Sequence, residues 1–212
     1  MSVTEGAMLE RGDAASTVPP GMTRAVPLSA RKIDIGILVF YFINLFVITY
    51  IVDVEQLTIP DMSAAWTYPA WPPRPAVDLI HWYGNGFDPV LIARPVWWKM
   101  TIWIDSLIFG PYYVFAIYAF LKGKDWIRLP SIIQSSLLIA VVVIIMGEEV
   151  AGAHATPHLG FIAMLNAPWL FMPMLVIARM YRSERPFHAG HDGHAGHAGQ
   201  SGAPSTLAGG RR

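Results

Sequence analysis

The chain has 212 residues, of which 54% are hydrophobic and 14% charged, at a formal net charge of +0. Soluble domains carry roughly 25% charged residues, so this composition points into a membrane, and the balanced charge excludes a nucleic-acid-binding field. Cysteine is absent, which excludes disulfide frameworks, thiolate chemistry and cysteine-based metal sites.

Residues 1–30 are small, polar and proline-containing, a composition that reads as a disordered leader. Four long apolar runs follow and predict spans at approximately 33–54, 97–121, 129–149 and 158–181. Each reaches the roughly 20 residues that a helix needs to cross a bilayer. The first run begins beyond residue 30 and has no small-residue cleavage site after it, so it is not a secretory signal. Between the first two runs, Pro60, Pro69, Pro72, Pro73 and Pro75 forbid one continuous helix. A short amphipathic helix is expected around Val77–Tyr83, within a loop whose Trp and Tyr residues suit the headgroup region. Residues 188–212 are a low-complexity tail in which His188, His191, His194 and His197 recur every third residue. Its glycines preclude a preorganised metal site, so neither metal nor cofactor is expected. The expected fold is an all-α integral membrane protein, a four-transmembrane-helix bundle within residues 31–187.

Basic residues divide unevenly. Arg24, Arg31, Lys32, Lys122, Lys124, Arg128, Arg179, Arg182 and Arg185 stand at one face, against Arg74, Arg94 and Lys99 at the other. By the positive-inside rule both termini are cytoplasmic.

With that topology, polar residues of different spans meet at one depth. Asp105 and Asn166 each lie about nine residues into their spans from the outer side, on the order of 13 Å. Asp53 ends the first span at that side, and Glu148 and Glu149 end the third. A carboxylate at such depth costs several kcal/mol unless paired, neutral or facing water, so Asp105 is expected to face the bundle interior. An apolar cation is the natural partner, with Trp103, Tyr112, Tyr113 and Trp169 offering cation–π faces. Pro111 in the second span, and Pro168 and Pro173 in the fourth, bend helices and open room for such a ligand.

The segments "LIHWYGNGFDPVL", "PVWWKMTIWIDSLIFGPYYVFAIYAFLKGKDWIRLPSII" and "NAPWLFMPMLVI" resemble the EXPERA domain superfamily, which comprises emopamil-binding sterol isomerases and sigma-2 receptor-like proteins. The resemblance spans roughly residues 35–185 and is strongest with the sigma-2 receptor-like branch through "YAFLKGKDWIRLP". It implies a pocket for sterols and cationic amphiphiles, lined by Asp53 and Asp105. It also implies a structural role for Asp88, tying the outer loop by hydrogen bonds, and an Asn-x-x-Trp pair in Asn166 and Trp169. The isomerases additionally use a His and a Glu one turn apart, and the first span has neither.

The expected ligand-binding set is therefore Asp105, Asp53, Asn166, Trp169, Glu148 and Tyr112, with Asp88 and Pro111 structural and Asp105 the one candidate for catalysis. Three functions follow from these residues. A membrane binder or carrier of a sterol-like or cationic apolar lipid comes first. A double-bond isomerase acting on a sterol or isoprenoid is the second, and an accessory subunit of a larger membrane complex the third. Membrane lipids, a homodimer mate or a complex partner are the expected contacts. The compartment would be the bacterial inner membrane or, in a eukaryote, the endoplasmic reticulum.

Overall fold

The computed structural model describes residues 25–188; the predicted leader before residue 25 and the histidine repeat after His188 lie outside the described residues. Among the described residues the architecture is all-helical apart from one isolated bridge between Ala25 and His188. Four helices are long and apolar enough to span a membrane: α1 (Lys32–Thr58), α4 (Val96–Lys122), α5 (Asp125–Ala151) and α6 (Leu159–Tyr181). Between α1 and α4 lie α2 (Arg74–Phe87) and the short α3 (Pro89–Ala93).

The helices begin and end where local chemistry requires. Pro75 sits in the first turn of α2, where its missing N–H is no loss. Asp88 ends α2 and caps α3, its Oδ1 accepting the Leu91 N–H at 3.0 Å. Gly123 ends α4 at φ 63°, and a Cβ there would come within 2.6 Å of Ala25 Cβ, so only glycine fits. Helix α2 is longer than the expected segment around Val77–Tyr83, running on to Phe87.

Helix α1 also extends beyond the predicted boundary at residue 54. The continuation Val54–Thr58 carries Glu55, whose charge would forbid burial if unpaired. Arg94 meets it, Nη2 lying 2.7 Å from Glu55 Oε2, while Nη1 donates to the Ile59 carbonyl and Nε to Leu91 O. His81 Nε2 completes the cluster at 2.7 Å from Glu55 Oε1. These contacts also hold Arg94 in the left-handed region at φ 46°, which costs a non-glycine residue on the order of 1–2 kcal/mol.

Two stretches leave α-helical register. Asn44–Asp53 in α1 and Asp105–Phe109 in α4 are π-helical. In α1 the Asn44 amide donates to Phe40 O at 2.8 Å, competing with the backbone donors of the next turn. In α4 the stretch ends at Gly110-Pro111, where the proline ring cannot donate and crowds the carbonyl four residues earlier. The widened register is the local response to Pro111.

The main core is aromatic and aliphatic, built around Tyr41, Phe109, Tyr113, Phe120 and Phe187. Outward-facing residues such as Val39, Phe46, Leu107, Phe115, Val143 and Phe171 are large, apolar and exposed, as lipid contact demands.

Candidate functional site

The two π-helical stretches face each other across the bundle. Gly110 permits this: a Cβ there would meet Thr49 Cγ2 at 3.0 Å. At that close approach Thr49 Oγ1 donates to Asp105 Oδ1 at 2.6 Å. Each π turn carries one residue more than an α turn, and such stretches frequently accompany functional sites. Here each contains a carboxylate, Asp53 in one and Asp105 in the other.

Beside them is a cavity of about 470 Å³. That falls within the ~300–1,000 Å³ typical of small-molecule sites, and the wall is mainly aliphatic and aromatic with few polar groups. α1 contributes Asp53 and Gln56, α4 contributes Asp105 and Trp98, and α6 contributes Asn166 and Trp169. Helix α5 adds only apolar side chains, among them Leu138 and Val142. The roof comes from α2, with Leu79, Trp82 and Tyr83, and from Asp88 at its junction with α3. Leu79 and Trp82 are more than 60% exposed, so this side of the cavity borders the surrounding medium.

Four of the six residues expected to bind ligand thus share one wall: Asp53, Asp105, Asn166 and Trp169. Asp53 is buried within α1 instead of terminating it, because the helix runs on to Thr58. Trp169 is anchored to α1, its Nε1 donating to Asn44 Oδ1 at 2.8 Å, while the Asn166 amide donates to Ile162 O at 3.0 Å. Glu148 and Tyr112 stand outside this wall. Glu148 Oε1 receives the His154 N–H at 2.9 Å and lies 2.8 Å from His154 Nδ1, fastening the turn after α5. Tyr112 is bonded to Tyr41 and Ser131 in the core, each at 2.9 Å. Asp88 both caps α3 and lines the cavity. Burial pushes its carboxyl above the usual carboxylate range, against the lowering effect of the Leu91 N–H. Burial likewise raises the Tyr83 phenol, reinforced by the Asp88 and Glu149 carboxylates.

Sequence reasoning missed Thr49 and Gln56, and of the pair Glu148 and Glu149 it carried only Glu148 into the ligand-binding set. Gln56 Oε1 accepts from Trp98 Nε1 at 2.5 Å, tying α1 to α4 along the wall. Glu149 is 1% exposed and neither carboxylate oxygen has a hydrogen-bond partner among the described residues. The acids that line the cavity also lack cationic partners among the described residues. Among the described residues, no Lys, Arg or His comes within ion-pair distance of Asp53, Asp88 or Asp105.

Four helices long and apolar enough to span a membrane, around an acid-bearing cavity, define the class: a small polytopic membrane protein. The profile of EXPERA (EXPanded EBP superfamily) matches residues 75–180. Sigma intracellular receptor 2 of Xenopus tropicalis is 30% identical over 159 residues, covering 69% of this chain and 86% of the relative. The Macaca fascicularis protein of that name is 30% identical over 172 residues, covering 74% and 92%. The human one is 32% identical over 120 residues, covering 50% and 68%. The chain belongs to the EXPERA family, in its sigma-2 receptor-like branch.

Proposed function

We propose that this protein binds a sterol-like or cationic apolar lipid within the membrane, in the cavity between α1, α4 and α6. The observation that carries this reading is the pairing of an apolar wall with three carboxylates, Asp53, Asp88 and Asp105, that have no cationic partner among the described residues. An apolar ligand bearing one amine satisfies both halves of that wall. Its hydrocarbon body replaces water along Val52, Ile102, Val142 and Leu165, and its charge offsets the acids. Thr49 fixes Asp105 Oδ1, which leaves Oδ2 to meet the ligand. Trp169, held by Asn44, presents an aromatic face in the same space. A carrier role follows if loading and release occur past exposed Leu79 and Trp82.

The isomerase alternative needs a proton donor beside the alkene. His81 and Glu55 approach each other closely, yet neither lines the cavity, and Glu55 is already engaged by Arg94. Binding without turnover is therefore preferred. The basic excess at the start of α1 and the end of α6 supports an orientation with both termini in the cytoplasm.

The test is affinity for a cationic amphiphile, measured on purified protein with Asp105→Asn. A fall of roughly thirtyfold is expected, equal to about 2 kcal/mol for one lost charge contact in a dry site. Unchanged affinity in a folded variant refutes the reading. Incubation with sterols in heavy water separates the alternative, since deuterium incorporation would require turnover. Isolation in mild detergent as a lone monomer or homodimer counts against the accessory-subunit reading.

A further inference from the structure

A second cavity, about 450 Å³, lies at the opposite end of the bundle, where α1 begins and α6 ends. Its wall includes Val26, Arg31, Lys32, Ile33, Asp34, Arg179 and His188. Asp34 is fully buried and held by two guanidiniums: Arg31 Nη1 donates to Oδ2 at 2.8 Å and Arg179 Nε to Oδ1 at 2.9 Å. The backbone folds over this clasp, with Val26 N–H bonded to Phe187 O at 2.8 Å and Arg31 stacked 4.9 Å from the Phe187 ring centroid.

The charge count decides what the cavity accepts. Two guanidiniums share one carboxylate, which leaves one positive charge, and exposed Lys32 adds another at the rim. Among the described residues Asp34 is the sole acid in the wall. A guanidinium has five N–H donors, and the hydrogen bonds of Arg179 use only Nε and Nη2. Among the described residues its Nη1 donors have no acceptor. Ile33, in the same wall, is half exposed on the lipid-facing side of α1.

We propose that this cavity binds the phosphodiester headgroup of an anionic phospholipid, with Arg179 Nη1 and Lys32 meeting the phosphate oxygens and an acyl chain descending past Ile33. The cationic groups supply the recognition, and the adjacent apolar surface favours a lipid over a soluble anion. The site is separate from the acidic cavity and does not depend on the function proposed for it.

Native mass spectrometry of the full chain in detergent tests the proposal, titrating phosphatidylglycerol against phosphatidylcholine. Phosphatidylglycerol is expected to bind about fivefold or more tightly, since each basic residue near a headgroup contributes on the order of a factor of five. Lys32→Gln should remove most of that preference. Because Lys32 is exposed and outside the Asp34 clasp, this variant keeps the fold. Arg179→Lys, which retains the ion pair but removes the Nη1 donors, should weaken phosphatidylglycerol binding as well. The double variant Lys122→Gln/Lys124→Gln removes two exposed charges from the same end and should leave the preference intact. Equal binding of the two lipids overturns the proposal, as does an equal loss in the double variant, which would mean diffuse attraction. Displacement of phosphatidylglycerol by millimolar inorganic phosphate overturns the lipid assignment and identifies a soluble phosphate as the occupant.

Discussion

At one end of the bundle Asp34 is clamped by two arginines; at the other, Asp53 and Asp105 face a cavity where, among the described residues, only the Thr49 hydroxyl bonds one of them. Both places bury carboxylates among apolar helices, yet they solve the solvation problem differently. The Asp34 clasp is closed within the protein, and its electrostatics serve to fasten α1 to α6. The Asp53–Asp105 region is left for something else to complete. Burial alone therefore does not mark a carboxylate as functional. What the surrounding cations do with it is the better guide.

The sharpest way to break this contrast is to neutralise an acid at each end and compare stability. Asp34→Asn leaves two guanidiniums without their shared anion and should destabilise the protein by about 3–5 kcal/mol. Asp53→Asn should leave the thermal midpoint unchanged or raise it, because a buried charge without a partner is removed. A differential thermal melt in one detergent measures both, and similar losses would erase the distinction. The next effect is steric. Gly110→Ala pushes a methyl into Thr49 Cγ2 at the crossing of the two π-helical stretches, costing about 1–3 kcal/mol and weakening amphiphile binding alongside stability. Thr49→Val removes one hydrogen bond to Asp105 with little change in shape, and affinity should shift by roughly fivefold, about 1 kcal/mol.

The smallest effect is a pH dependence. Burial holds the Asp88 carboxyl above the ordinary range, so it acquires its negative charge at higher pH than an exposed aspartate. Affinity for a permanently cationic amphiphile should rise as pH increases through that interval. Asp88→Asn should lose that part of the profile while keeping the α3 cap, because asparagine caps about as well as aspartate.

Much of this arrangement is legible in the sequence because bilayer crossing imposes long apolar runs. The depth argument that joined Asp105 to Asn166 needs only helix rise and span order, and both residues stand on one cavity wall. Other features have no local signal. The burial of Glu55 depends on Arg94, 39 residues away, and that of Asp34 on Arg179, 145 residues away. Nothing near Glu55 announces Arg94, and of the two guanidiniums on Asp34 only Arg31, three residues before it, is local. The π-helical stretch of α1 has no compositional signature, so Thr49 could not be placed opposite Asp105 from α-helical periodicity. Glu148 and Glu149 look equivalent in sequence, but adjacent helical residues point about 100° apart. Glu149 turns inward and Glu148 turns to His154.

The ten-residue π-helical stretch of α1 works as a gear of different pitch set into the helix. Every residue beyond it is rotated relative to where an unbroken α-helix would carry it, and Asp53 lies at its end. Because a π turn holds one residue more than an α turn, deleting one residue between Asn44 and Asp53 would take up that surplus and let a turn return to α register with the helix after it still in phase. Forcing α register on the stretch at its full length would instead keep the surplus and swing every later side chain about the helix axis. Asp53 and Gln56 would then leave the cavity wall together. A chain of nearly unchanged composition, hydropathy and span count would thus lose its acid lining through helical phase alone.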